Sequence, residues 1–220
     1  MYKLLTAALL ILCCIPVSSG AQSFWRNFER VDAGGSILFY NHKHEARITD
    51  DPGSEFNEDR TFSHIGLMFG LNLPVYPMGD NMSLGICPGI GFSVATETDF
   101  FGEKSQFIAA SLPLYATFKL GADATYKGST FPLGMSVGLG YHYSYLMRVG
   151  DGAEFSEGIG LPSMMAEVCI GKRKKWGLIK LRFTQDLGSY TIDYSDPSRF
   201  IENKLTISRT GLHLIYVGGY

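Results

Sequence analysis

Beyond its N-terminal segment this chain has no apolar run long enough to cross a membrane as a helix, which takes about 20 residues. Leu4 to Ile15 is apolar but for Thr6 and stops short of that length. An excess of one charge is lacking too: 19 Lys and Arg stand against 21 Asp and Glu, for a net charge of -2. A chain so close to neutral offers no clustered basic face for a nucleic acid. Cysteine is scarce. Cys13 and Cys14 sit in the apolar start, which leaves Cys87 and Cys169; two thiols permit one disulfide but no cysteine framework. No internal repeat stands out. What the chain does have is glycine, 26 residues of it, and aromatics, 13% of the whole, spread over segments that alternate with period two.

The first residues set the expected compartment. Lys3 is a positive start, Leu4 to Ile15 an apolar stretch of about a dozen residues, and Ser19-Gly20-Ala21 a small-residue cleavage site. Residues 1–21 therefore read as an export signal cut after Ala21, and 22–220 as one mature domain starting at Gln22. Lipidation is the weaker alternative, because Cys13 follows Leu12 and Cys14 follows Cys13, without the small residue that a modified cysteine requires before it.

Eight strand-like runs follow, near 31–42, 61–73, 82–95, 106–120, 132–147, 161–171, 177–188 and 203–217. In the third, Met82, Leu84, Ile86, Ile90, Phe92 and Val94 share one face, with glycine, serine and Cys87 on the other. The fifth sets Leu133, Met135, Val137, Leu139 and three tyrosines against Gly134, Ser136, Gly138, Gly140, His142 and Ser144. The seventh sets Ile179, Leu181, Phe183 and Leu187 against Lys180, Arg182, Thr184 and Asp186. The first run is ambiguous, with apolar residues on both faces. Joins after odd-numbered runs (43–60, 96–105, 148–160, 189–202) read as long polar loops, and those between (77–81, 122–130, 172–176) as shorter turns. That rhythm predicts an all-β fold, an eight-stranded antiparallel up-and-down transmembrane β-barrel with both termini on the periplasmic side. A soluble lipocalin-like barrel is the rival, with the apolar set inside. Run length, tyrosines towards the strand ends and a glycine-crowded polar face favour the membrane form. Pro88 and Pro113 fall inside runs and call for bulges.

The segment Phe107-Ile108-Ala109-Ala110-Ser111-Leu112-Pro113-Leu114-Tyr115-Ala116-Thr117-Phe118-Lys119-Leu120 resembles the strand with an "I/L-P-L" core in the PorT-like outer-membrane β-barrel family. The Ala21-Gln22 boundary is similar to that family's export site. The tail Leu212-His213-Leu214-Ile215-Tyr216-Val217-Gly218-Gly219-Tyr220 resembles the signal read by the outer-membrane assembly machinery, with Leu212, Leu214, Tyr216 and Tyr220 as its apolar and aromatic positions. The resemblance implies a barrel in the outer membrane of a Gram-negative cell, in contact with membrane lipid and, during biogenesis, with that machinery. It implies no particular activity.

Candidate chemistry is thin. His142 and Ser144 are similar to the His-x-Ser pair of outer-membrane lipid A deacylases, with Glu154 and Glu157 downstream. In such a pair the imidazole takes the hydroxyl proton while a carboxylate orients it. Tyr145 stands where that family has asparagine, and alternation aims the pair into the lumen, away from a lipid substrate. His42, His44, Glu45 and His64 invite a metal, since i and i+2 share a strand face, but a polar rim fits them better. Asp50, Asp51, Glu55, Glu58 and Asp59 lack calcium-loop spacing and read as a solvated outer loop. Lys172-Arg173-Lys174-Lys175 reads as a charged turn. The most informative set is Glu167, Lys180, Arg182, Asp186, Arg209 and His213, on the polar faces of three successive runs. Buried charges persist only when paired and hydrogen-bonded, so this set predicts a side-chain-filled, ion-paired lumen, with Glu167 near Lys180 and Arg182 and Asp186 near Arg209. The function expected is that of a small non-enzymatic barrel, without cofactor or metal, whose activity resides in its outer loops as a binding or scaffolding surface. A lipid-modifying enzyme using His142 and Ser144 and a soluble periplasmic carrier are the alternatives.

Overall fold

A computed structural model describes residues 31–48, 55–98, 104–125, 131–150, 155–172, 177–196 and 201–217. Residues 1–30, which include the expected export signal, and Tyr220 lie outside them. Ten strands appear in chain order: β1 Val31–Ile48, β2 Glu55–Leu71, β3 Leu73–Pro77, β4 Met82–Thr98, β5 Lys104–Gly121, β6 Leu133–Gly150, β7 Phe155–Lys172, β8 Gly177–Asp186, β9 Tyr190–Asp196 and β10 Ile201–Val217. They build eight staves. β2 and β3 are one stave broken at Asn72, since both pair with β4, and β8 and β9 are one stave broken after Asp186, since both pair with β10. Neighbours in sequence pair antiparallel, and β1 closes the ring on β10 from Ala33–Tyr216 to Ile48–Ile201. The result is a closed, eight-stranded, up-and-down barrel.

The outward face carries the apolar alternates of the sequence. Ile65, Leu67, Phe69, Leu84, Phe92, Val94, Leu112, Leu114, Leu139, Val168, Ile179, Leu181 and Leu214 all point out and are exposed, Ile65 to 69% and Leu139 to 65%. Glycines on this wall hold aromatics: a Cβ on Gly160 would strike the Tyr141 ring, one on Gly158 the Tyr143 hydroxyl, and one on Gly177 the Tyr216 ring. Each tyrosine thus lies diagonally across a neighbouring strand and covers backbone that glycine leaves bare.

Several expectations are corrected. The segments 43–60 and 189–202 are not mainly loops, because β1 runs on to Ile48, β2 begins at Glu55, and β9 occupies Tyr190–Asp196. Residues 96–98, 104–105, 148–150 and 155–160 are likewise strand, so the long-and-short rhythm disappears once strand pairing, rather than polarity, sets the ends. Glu55, Glu58 and Asp59 belong to β2 rather than to a loop, while Asp50 and Asp51 lie outside the described residues. Pro88 and Pro113 cause no bulge. The β4–β5 ladder instead skips Gly89–Ile90 opposite Leu112–Pro113 and resumes in the same register at Gly91–Ser111. The proline nitrogen has no hydrogen to give there, and Gly89 makes room for the ring, with its Cβ position 3.0 Å from Pro113 Cγ. The one irregular register among these pairings lies between Pro74 and Tyr76.

The first run's ambiguity has a structural cause. β1 begins with Asp32 and Ser36 buried inside and Ile37 exposed outside; further along, Leu38 and Tyr40 are inside, while Asn41 and Lys43 are outside. The hydrophobic pattern changes phase along the strand. It does so on most staves, β6 excepted, where Tyr145, Met147 and Val149 keep the outside apolar to the tip. At the end that holds the start of β1 and the finish of β10 (the near end), the outside is apolar and the inside charged. At the opposite, far end, Thr61, Ser63, Thr96, Gln106, Thr191, Asp193 and Lys204 face out, and an apolar core lies within: Leu38, Tyr40, Phe107, Leu146, Ile159, Leu161, Ile192, Leu205 and Ile207.

Candidate functional site

The near half of the lumen is filled by an ion network. Across the β7–β8 ladder Glu167 stands opposite Arg182, and Cys169 opposite Lys180. Arg182 donates to Glu167 Oε2 from Nε at 2.8 Å and from Nη2 at 2.6 Å, and its Nη2 also reaches Asp32 Oδ2 at 3.0 Å. Lys180, fully buried, donates to Asp32 Oδ1 at 2.9 Å and to Asp123 Oδ2 at 2.6 Å. Lys119 Nζ lies 3.7 Å from both Asp123 Oδ2 and Glu167 Oε1. Ser136 Oγ adds a hydrogen bond to Glu167 Oε1 at 3.1 Å. Three cations (Lys119, Lys180, Arg182) therefore meet three carboxylates (Asp32, Asp123, Glu167), and the charge cancels locally, as it must where desolvation is so costly.

Asp123 arrives from a turn. Where β5 ends, the chain ducks into the barrel mouth, so that Ala122, Asp123, Ala124 and Thr125 are buried. The segment 122–125 thus plugs the lumen, where the sequence led one to expect 122–130 to be a turn facing the periplasm. Asp123 takes φ of 67°, a left-handed conformation that aspartate tolerates better than most residues. Asn72, at the break between β2 and β3, donates to the Asp123 carbonyl at 3.2 Å; Ser83 Oγ bonds the Ala124 carbonyl; Thr125 Oγ1 donates to Asp80 O at 2.8 Å. Cys169 Sγ donates to Ala122 O at 3.1 Å. Cys169 and Cys87 are both free and buried, on staves separated by β5 and β6.

Higher in the barrel a second pair joins the core. Arg209 Nε donates to Asp186 Oδ2 at 2.7 Å, its backbone N–H to the same oxygen at 3.0 Å, its Nη1 to Ser144 Oγ and its Nη2 to the His142 carbonyl at 2.8 Å. The structure therefore brings together Glu167, Lys180 and Arg182, and separately Asp186 and Arg209. His213 departs from the expected network: it is buried, and its Nε2 pairs with Thr184 Oγ1 at 3.1 Å, while Nδ1 has no hydrogen-bond partner. Sequence reasoning missed Asp32, Lys119 and Asp123. Lys119 carried a signal, as the one cation in the alternate series Ser111, Pro113, Tyr115, Thr117; Asp123 carried none, because nothing local tells that a turn folds inward.

The deacylase-like pair is in the lumen. Ser144 Oγ accepts from Arg209 rather than facing an acid-oriented imidazole, His142 Nε2 has no hydrogen-bond partner, and the residue opposite Ser144 on β7 is Ile159. Glu154 lies outside the described residues. Among the described residues no group of three His, Cys, Asp or Glu could hold a metal. His64 points inward, its ring 4.1 Å from that of Tyr40, while Lys43 pairs outside with Glu45 at 3.0 Å. Lys172 ends β7, and residues 173–175 lie outside the described set. Leu212, Leu214 and Tyr216 point outward along β10.

Fold and polarity define a class: a small closed barrel, apolar outside and ion-paired inside. No family model matches the chain, and no curated protein matches it. Solved structures match over most of its length. The outer membrane protein OprG from Pseudomonas aeruginosa is 12% identical with a TM-score of 0.44, over 84% of this chain and 94% of that one. The outer membrane protease OmpT from Escherichia coli is 9% identical at 0.39, over 84% and 96%. Ail, the attachment invasion locus protein of Yersinia pestis, in complex with the heparin analogue sucrose octasulfate, is 9% identical at 0.36, over 83% and 98%. At such identities and scores these likenesses say nothing of function, and the fold rests on the strand ladder itself.

Proposed function

We propose that this protein is a small, non-enzymatic integral outer-membrane β-barrel with a sealed lumen, exported by the signal in residues 1–21, whose activity is that of a binding or scaffolding surface at the far end. The single observation that carries this is the polarity of the near half, with apolar side chains exposed all round and six charges cancelling inside. A water-soluble barrel would place these the other way round. Strands of 18 residues at about 3.3 Å rise and about 40° tilt span roughly 45 Å, beyond the ~30 Å hydrocarbon thickness, so the polar far rim projects into water. The near end is the periplasmic one, since the apolar belt reaches it and the projecting half lies opposite. Lipid covers the belt, and the assembly machinery reads Leu212, Leu214, Tyr216 and Tyr220. The likeness of Phe107–Leu120 to PorT-like barrels is the family we favour. Catalysis by Ser144 is disfavoured because its oxygen is bonded to the Arg209 guanidinium inside the barrel.

The test is membrane extraction and gel behaviour. The protein is expected to stay in the membrane pellet after carbonate washing, to shift in mobility between unheated and heated samples, and to give no conductance steps in planar bilayers. Release by carbonate would overturn the membrane assignment, and stable conductance would overturn the sealed lumen.

A further inference from the structure

Where Tyr141 crosses the outer wall over Gly160, and Tyr143 over Gly158, the rings fill the space between rows of outward side chains. Towards the near end of β5–β8 a space of the same kind is left open. Two outward rows run across these strands there. In one, Leu120 stands opposite Met135, Met135 opposite Val168 and Val168 opposite Leu181; in the other, Leu133 stands opposite Ile170 and Ile170 opposite Ile179. Between them runs the row Gly121–Gly134–Cys169, which turns no side chain outward. Cys169 is buried, and a Cβ on Gly134 would point in at Ala122 and the Cys169 sulfur. The two rows and this floor enclose a groove of about 390 Å³. Its walls are aliphatic and mostly exposed, and among the described residues no charged or aromatic side chain lines it.

We propose that this groove holds one acyl chain of a glycerophospholipid of the periplasmic leaflet; this rests on the membrane reading and on the near end being the periplasmic one. The groove lies within the apolar belt, so what covers it is continuous with what covers the belt. Its dimensions choose the occupant. Rows two residues apart on a strand are about 6.6 Å apart, so a hydrocarbon chain laid between them lies near carbon contact distance, about 3.5–4 Å, from both. A helix with its side chains needs about 10–12 Å and is too wide. Three strand spacings of about 4.8 Å make the groove about 14 Å long, close to the half of a ~30 Å hydrocarbon layer that one leaflet's chains fill. A second copy of the barrel fits poorly. Its wall is convex, and the groove crosses the strands obliquely to the barrel axis, so two such walls would meet at one crossing and leave the rest uncovered. Lipid gains nothing hydrophobic by leaving lipid, so dispersion contact is what retains a chain. In the groove a chain gains such contact from both rows and the floor at once.

The experiment uses the full mature barrel in lipid nanodiscs that contain a phosphatidylcholine with a diazirine on one acyl chain. After photolysis, mass spectrometry of peptides maps the labelled residues. Ile65, Leu67 and Phe69, exposed on the belt at β2, give the reference for passing lipid contact. Labelling of Leu133, Met135, Val168 and Ile170 is expected to exceed that reference by about threefold or more, a preference of about 0.65 kcal/mol. The excess is expected to vanish in Val168→Trp and, independently, in Met135→Trp, whose larger side chains occupy the groove; heat-modifiability confirms that each variant is folded before it is compared. Even labelling round the belt would mean passing lipid contact only and would overturn the proposal. So would an excess that survives in both variants, or one that gives way to barrel–barrel cross-links as more protein is loaded per disc. Carbonate washing of the same protein in membranes separates the two ideas. A barrel that stays in the washed membrane yet labels evenly loses only the acyl-chain site, whereas one released by carbonate loses the membrane assignment and the lipid ligand with it.

Discussion

Replacing Glu167 by glutamine removes one negative charge from a lumen where three carboxylates balance three cations. The carboxylate accepts two bonds from Arg182, at 2.8 and 2.6 Å, and one from Ser136 at 3.1 Å, and lies 3.7 Å from Lys119 Nζ and 4.0 Å from Lys180 Nζ. A glutamine fits the space and its carbonyl can keep one of these bonds, so packing changes little. What changes is charge: Arg182 keeps Asp32, and Lys119 keeps Asp123, but the cluster carries a net positive charge in a volume sealed by the 122–125 turn. Breaking one partner of a buried pair costs about 3–5 kcal/mol, and with Asp32 still in place the lower value applies, about 3 kcal/mol. Reversible urea unfolding of barrels folded into lipid vesicles measures it directly. The double variant Glu167→Gln with Arg182→Met removes both charges and is expected to be more stable than Glu167→Gln alone, because a buried pair exchanged for apolar groups is near neutral. A single variant within about 0.5 kcal/mol of the parent, or a double variant less stable than the single, would refute the network as a source of stability.

Three more outcomes follow from the same geometry. Gly160→Val drives a side chain into the Tyr141 ring and should cost about 2 kcal/mol by overpacking, whereas Gly35→Ala, which meets nothing within 4 Å, should fall within about 0.5 kcal/mol; equal losses in urea unfolding would dismiss the tyrosine–glycine contacts. Asp123→Ala strips Lys180 and Asn72 of a partner at a position of positive φ, and is expected to destabilise by about 3 kcal/mol, with Asp123→Asn milder because asparagine tolerates that backbone; the reverse order would count against the plug. Cys87 and Cys169 should resist maleimide in the folded barrel and both label after denaturation without reductant, since strands about 4.8 Å apart put three steps beyond the ~7 Å Cα limit of a disulfide. A mass showing them bonded would break the strand order.

The alternation in the third, fifth and seventh runs marked the staves, because within the belt each strand repeats one polarity for several pairs, but which face is inside had to be read from run length, the tyrosines and the glycine-crowded polar face. Strand ends were not legible. Where Asn41, Lys43, Asp59 and Thr61 turn outward, the local composition is that of a loop, and only the pairing of Lys43 with Asp59 and Thr206 makes it a wall. Counting across the turn near 173–174 puts Glu167 opposite Lys180, whereas the ladder sets it opposite Arg182, two residues on; Asp186 and Arg209 could be matched only loosely, because the join at 189–202 reads as long. Asp32 and Asp123 were illegible for a different reason. Their partner Lys180 lies 148 and 57 residues away in sequence, and no periodicity reports a contact across the lumen.

The phase change along most staves also bears on how such a chain can fold. A wall that is apolar outside throughout is stable only where lipid covers it, and one that is apolar inside throughout has no reason to enter a membrane. Here β1 switches from Ser36 in and Ile37 out to Tyr40 in and Lys43 out, and β10 from Ile207 in to Arg209 in and Leu212 out. The switch lies level with the Arg209–Asp186 pair, so a salt bridge marks the boundary between the apolar core of the far half and the polar lumen of the near half. Arg209 ties four staves there, through Asp186 on β8, Ser144 and the His142 carbonyl on β6, and its own place on β10 beside β1. Just above this tie the β2–β4 ladder ends at Ile65–Val94 and the β7–β8 ladder at Ser163–Asp186. Below it the strand ladders hold the ring closed; above it, burial of Tyr40, Phe107, Leu146, Ile159 and Ile207 holds the two sides of the wall together. Under the proposed membrane reading, a clamp at that level lets one wall face lipid over its near half and water over much of the rest.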